Sequence, residues 1–231
     1  MVQVNNTPIN LRIKFRKTGS LQYVSHLDLV RTMNKIVVRS KLPLWYTEGF
    51  NPKPKMVFAA PLSIGTESVC EFMDLRLSSR FSPEAALRML NENMTNEMQV
   101  IEAYYPERKL TELKWLSYTI TIKTKGADEA LCEKCAAVLS SDSLPVQKKT
   151  KSGEALVDIR PLIRKADVAF DGENICITAV LSADQSSFLN PEYVVKALRE
   201  KCGILSSPCL TEEYYSIVRK AAYLDDMSEF R

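Results

Sequence analysis

A chain of 231 residues, 45% hydrophobic and 26% charged, has the balance of a globular protein, which excludes collagen-like, coiled-coil and disordered readings. No apolar run approaches the roughly 20 residues of a membrane helix, and residues 1–10 lack a basic segment followed by an apolar one. No membrane association, a cytoplasmic location and reduced thiols are therefore expected.

Leu11-Arg12-Ile13-Lys14-Phe15-Arg16 alternates apolar and basic residues, so a strand is predicted with one face inward and three cations on the other. Thr18-Gly19-Ser20 breaks it. Ser25-His26-Leu27-Asp28 reads as a capping box that opens a helix over 26–41. Leu29, Val30, Met33, Ile36 and Val37 form its apolar stripe, while Arg31, Lys35 and Arg39 recur every fourth residue. The segment 45–55 is a stiff loop rather than a regular element, because Gly49, Asn51, Pro52 and Pro54 punctuate it. Strands over 57–60 and 69–77, a helix from Pro83 to about Met94 and a strand over 98–104 complete a βαββαβ order.

The second half repeats that order less cleanly. A strand over 115–123, a helix over 127–139, a hairpin of 144–150 with 155–159 around Lys151-Ser152-Gly153, a strand over 175–181, a helix over 190–202 and a last strand over 213–223 are predicted. The expected fold is α+β, two ferredoxin-like domains in tandem spanning 1–108 and 109–231.

Charge is segregated along the chain. Residues 1–60 hold ten basic residues and two acidic ones, a net of +8 in a chain of +3, so the remainder carries −5. Such a segment builds a local positive field suited to phosphate or another polyanion. The loop joins Trp45, Tyr46 and Phe50 to Lys53 and Lys55, and aromatic faces beside cations are what unpaired RNA is recognised by. Candidate RNA or phosphate contacts are Arg12, Lys14, Arg16, His26, Arg31, Lys35, Phe50, Asn51, Lys53 and Lys55. His26 is the one histidine of the chain, and no nucleophile is identified beside it. Phosphate-binding, dinucleotide-binding, zinc-protease and hydrolase-elbow motifs are absent from the sequence. Cys132 and Cys135 form a lone C-x-x-C, which reads as two ordinary helix residues because a structural zinc needs four ligands. No cofactor or metal site is expected.

Three blocks carry a resemblance: GSLQYVSHLDLVRTM at 19–33, KLPLWYTEGFNPKPKMVFAAPLSIGTES at 41–68 and VDIRPLI at 157–163. The chain resembles the radical-SAM-linked family of uncharacterised bacterial proteins, whose members occur alone or fused behind a radical SAM enzyme. The resemblance marks Ser25, His26, Asp28 and Arg31, then Gly49, Phe50, Asn51, Pro52 and Pro54, then Asp158, Arg160 and Pro161. It implies a radical SAM enzyme as partner, although this chain lacks an iron–sulfur motif of its own. Lys53 stands where the family loop often has histidine, which weakens a metal role and leaves a phosphate role intact. Asp158 and Arg160, two apart, are expected to pair across one strand face. The resulting expectation is an accessory, non-catalytic RNA-binding protein acting in modification of RNA or a translation component. The alternatives are a metal-independent endoribonuclease with His26 as general acid/base, and a protein-interaction module with an acidic partner.

Overall fold

Alternation along β1 (Ile9–Lys17) buries Leu11, Ile13 and Phe15 completely. The computed structural model describes residues 7–150, 153–184, 186–207, 209 and 211–231. It is α+β, with four α-helices among those residues, and divides into a unit reaching Glu112 that includes Arg231 and a unit over Leu113–Phe230.

In the first unit β1 lies antiparallel between β3 (Thr66–Leu77) and β4 (Met98–Tyr104), and β2 (Met56–Phe58) pairs with the other edge of β3. Helices α1 (His26–Arg39) and α2 (Pro83–Asn91) send Leu29, Met33, Ile36, Ala86 and Leu90 into the core that Leu11, Ile13 and Phe15 fill from the sheet. Each of these side chains except Ala86 contributes roughly 1.5–3 kcal/mol by leaving water. The helix starts follow their sequence signals. The Ser25 hydroxyl accepts from the Asp28 amide at 3.2 Å, and Ser82 does the same for Ala85, with Pro83 at the first helical position.

The second unit places β5 (Trp115–Lys123) between β9 (Ile175–Ser182) and β10 (Tyr214–Tyr223), with β8 (Ile163–Phe170) outside β9. Helices α3 (Glu129–Leu139) and α4 (Glu192–Cys202) pack here. The hairpin of β6 (Pro145–Thr150) and β7 (Gly153–Asp158) forms as the sequence predicts, but it is a separate two-stranded sheet. The expected turn residues Lys151 and Ser152 lie outside the described residues. β8, a strand that the sequence analysis does not predict, takes the place beside β9.

Cys132 and Cys135 sit on α3 as ordinary buried helix residues. Burial, with Cys202 alongside, pushes the Cys135 thiol up to about 12, far from the reactive thiolate range. Among the described residues no three His, Cys, Asp or Glu side chains group as a metal site. None of the described helices is long and apolar enough to cross a membrane.

Carboxylates that cap backbone give the second unit an acid-sensitive side. Buried Glu213 accepts from the Thr124 hydroxyl at 2.5 Å and from the amides of Lys125 and Ser207, which hold it down at about 2. Asp171 accepts from the amides of Asn174 and Glu173 and also titrates at about 2. Because both folded values lie below the unfolded ones near 4, the unfolded chain takes up protons first as pH falls. The stabilisation is complete above about pH 5 and disappears as pH drops through about 2. In a Trp45→Phe background, urea midpoints read by Trp115 fluorescence should fall steadily from pH 5 to pH 3, and Glu213→Gln should flatten that fall.

Candidate functional site

Five residues from the middle and end of α1 and two from the loop after it line a groove of about 500 Å³. From the helix come Arg31, Asn34, Lys35, Val38 and Arg39, and from the loop Lys53 and Pro54. A step of four residues advances an α-helix about 6 Å and keeps side chains on neighbouring positions of one face, so Arg31, Lys35 and Arg39 form a cationic row. Lys53 faces that row from the loop. Four cations thus surround a wall containing Val38 and Pro54 and no carboxylate. Asn34 is spent on the helix, donating to the Val30 carbonyl at 2.9 Å.

Arg31 donates to Asp28 at 3.0 Å, and Asp28 also accepts from the Ser25 hydroxyl at 2.8 Å. The Ser25 bond first, then Arg31, holds the Asp28 carboxyl below its ordinary value. The capping box therefore orients the first cation of the row. The side chains of Lys35, Arg39 and Lys53 have no hydrogen-bond or ion-pair partner among the described residues. A ligand meets them unpaired.

The loop is built rather than slack. Trp45 donates to the Arg76 carbonyl at 2.7 Å and Arg76 to the Lys55 carbonyl at 3.0 Å, which fastens both loop ends to β3. Lys55 donates to the Trp45 carbonyl, Thr47 to the Lys53 carbonyl, and the Thr47 hydroxyl accepts from the Lys53 amide at 3.0 Å. Tyr46 and Pro54 bridge between them. The result is a small hairpin with Glu48–Pro52 at its tip. Gly49 has φ +118 there, a conformation side chains disfavour. Phe50 is 112% exposed relative to its reference, so its ring touches almost nothing of the chain. Asn51 and Pro52 are exposed beside it.

Several expected contacts lie elsewhere. Arg12 is fully buried, donating to both Asp74 oxygens at 2.7 and 3.0 Å and to the Arg108 carbonyl at 2.9 Å. Its reading as an RNA contact is corrected, because the guanidinium is spent on Asp74 and the Arg108 carbonyl and reaches no solvent. Arg16 donates to the Asn96 carbonyl and Gln99, and Lys14 lies 3.5 Å from Glu102 and over the Phe72 ring. These two are half-buried structural cations. His26 does not line the groove. It is exposed at the start of α1 and meets the Phe58 ring edge-on at 5.4 Å. The groove thus lies one to three turns beyond the helix start that His26 marks. Lys55 is exposed but lines no part of it. Arg39, which the four-residue spacing already aligned with Arg31 and Lys35, belongs to the site.

The third block is structural. Asp158 accepts from the Leu144 amide at 2.7 Å, the Arg160 amide at 3.0 Å and the Ser143 hydroxyl at 2.8 Å, and the two amides above all hold its carboxyl below the ordinary value. The Arg160 guanidinium donates to the Ile163 carbonyl at 2.7 Å. The predicted side-chain ion pair is replaced by a turn, since Arg160–Leu162 is a short 3₁₀ helix and not strand.

No curated protein matches the sequence. Among solved structures, the chain is similar to one from the "Crystal Structure of a Cbf5-Nop10-Gar1 Complex", with a TM-score of 0.52 and 10% identity over 92% of this chain and 48% of that one. It therefore spans about half the length of that structure, and the likeness is one of fold. An unknown protein from Galdieria sulphuraria aligns over 92% of this chain and 99% of its own at 9% identity, with a TM-score of 0.26. Residues 10–191 match the family described as "Uncharacterized protein conserved in bacteria" (DUF2344), which holds both the α1 row and its loop, and the chain belongs to that family.

Proposed function

We propose that the protein is an accessory RNA-binding protein whose first unit holds the RNA phosphate backbone in the α1–loop groove. The observation that carries this reading is the groove wall itself, where Arg31, Lys35, Arg39 and Lys53 gather with no carboxylate among them. Phosphate contacts from such cations position a nucleic acid without reading its sequence. The resemblance of the three sequence blocks supports a radical SAM enzyme as the catalytic partner, with the RNA or a translation component as its substrate. His26, packed on Phe58 away from the groove wall, gives no support to the endoribonuclease alternative.

The strand orders support a finer reading of the fold as two ferredoxin-like modules. In the first, β4-β1-β3 with β2 on β3 joins strands and helices in the sequence β1-α1-β2-β3-α2-β4. The second has β10-β5-β9-β8 and follows the same path once the β6–β7 hairpin is treated as an insertion after α3.

Salt titration tests the function. Affinity for a mixed-sequence RNA of about 12 nucleotides, measured by fluorescence anisotropy, should fall with salt along a log–log slope of about −2 to −3, since three or four single-strand phosphates each contribute about 0.7. A flat salt dependence, or the lack of any binding in dilute salt, would sink the proposal.

A further inference from the structure

We infer that the groove takes unpaired RNA and discriminates against duplex, with Phe50 as the stacking platform for one extruded base; this rests on the RNA-binding reading above. A ring that packs in a core loses its exposure, and one that fills a turn is partly covered. Phe50 does neither, since its whole surface is open at the loop tip. Displaying a phenylalanine this way is unfavourable in water by the burial it forgoes, and the loop does not let it fold back. The Tyr46–Pro54 bridge and the reciprocal Thr47–Lys53 hydrogen bonds close the hairpin beneath it, and both ends are anchored to β3 through Arg76. Little ordering cost then remains when a base arrives.

Chemistry assigns the occupant. Lys53 follows Phe50 by three residues in the same hairpin and lines the cationic groove. A base stacked on the ring is thereby covalently continuous with phosphates that reach Lys53 and the α1 row. Every base offers a π-face, so the platform is sequence-tolerant. In a duplex the bases are already stacked inside the helix, and the ring meets only the backbone. An acidic peptide would satisfy the cations but gives the ring no stacking partner.

The test uses Phe50→Ala in the full chain, with Phe50→Trp and Lys53→Glu alongside, against a mixed-sequence single-stranded RNA and a blunt-ended duplex RNA of equal charge. The expected result is a loss of roughly 5- to 50-fold in single-strand affinity for Phe50→Ala with the salt slope unchanged. Phe50→Trp should retain wild-type affinity, and duplex affinity should not change with either. Lys53→Glu should weaken both ligands and flatten the slope by about 0.7. Equal single-strand affinity of wild type and Phe50→Ala, with Lys53→Glu still weakening it, overturns the stacking platform and leaves the groove as a phosphate site. Failure of the wild type to bind either RNA overturns the underlying reading as well. Circular dichroism of the variants excludes misfolding as the cause, and none is expected at a fully exposed position.

Discussion

Replacing Asp74 by alanine is expected to lower the unfolding free energy of the first unit by about 3–5 kcal/mol, a large share of the roughly 5–15 kcal/mol that holds a domain folded. Arg12 and Asp74 are direct cross-strand partners of β1 and β3, and their two parallel hydrogen bonds are made with Arg12 wholly removed from water. Deleting the carboxylate takes the paired negative charge from a guanidinium that no solvent reaches, and the Arg108 carbonyl that it also meets offsets only part of the desolvation. Lysine is no substitute, because an ammonium lacks the fork that engages both oxygens and leaves the Arg108 carbonyl short of a donor. Arg12→Lys should therefore cost nearly as much as Asp74→Ala. Arg12→Met with Asp74→Leu should recover most of the loss, since a buried pair exchanged for apolar groups of similar size is near neutral. Urea denaturation in a Trp115→Phe background, read by Trp45 fluorescence, isolates this unit. A loss below about 1 kcal/mol for Asp74→Ala would show that the pair is not a structural keystone.

Reversing two groove charges, Lys35→Glu with Lys53→Glu, is expected to weaken RNA binding at least about 100-fold in dilute salt and to reduce the log–log slope by about 1.4. The two lysines come from opposite walls, one on the helix and one on the loop, and neither has a partner among the described residues. Their reversal places carboxylates against the phosphates without breaking any intramolecular pair, so thermal stability should stay within about 0.5 kcal/mol of wild type. Lys220→Glu, an exposed reversal on β10, supplies the control for net charge. If it weakens binding as much as one groove reversal does, the interaction follows the field of the whole protein and not this groove. Reversal of Arg12 answers neither question, because it unfolds the unit that carries the site.

Local rules were enough for the elements whose pattern is strong. The alternation at 11–16, the Ser25 and Ser82 caps and the apolar stripe of α1 each dictate a backbone state through contacts within a few residues, and all form where the sequence places them. The row Arg31, Lys35, Arg39 was legible for the same reason, since helical periodicity alone aligns it. The stiffness of the loop followed from its prolines and from Gly49, whose φ of +118 suits glycine. β8 escaped because its alternation is short: Ala166, Val168 and Phe170 turn inward between exposed Asp167 and Ala169, but the register shift between Ile163 and Lys165 puts Ile163 out of phase with them and leaves a run of only a few residues.

Tertiary structure decided which cations are available. Lys14, Arg16, Lys35 and Lys53 are equivalent in a charge count, and alternation points Arg12 outward as plainly as it points Leu11 inward. Their fates depend on partners 62 to 96 residues away, such as Asp74 and the Arg108 carbonyl for Arg12 and Gln99 for Arg16. The second face of an antiparallel sheet can be open or covered, and alternation along one strand carries no information about which positions on it are covered. The groove arises in the same way: Lys53 meets Arg31 and Lys35 because β3 anchors the loop through Arg76, a contact between segments that no short-range pattern encodes.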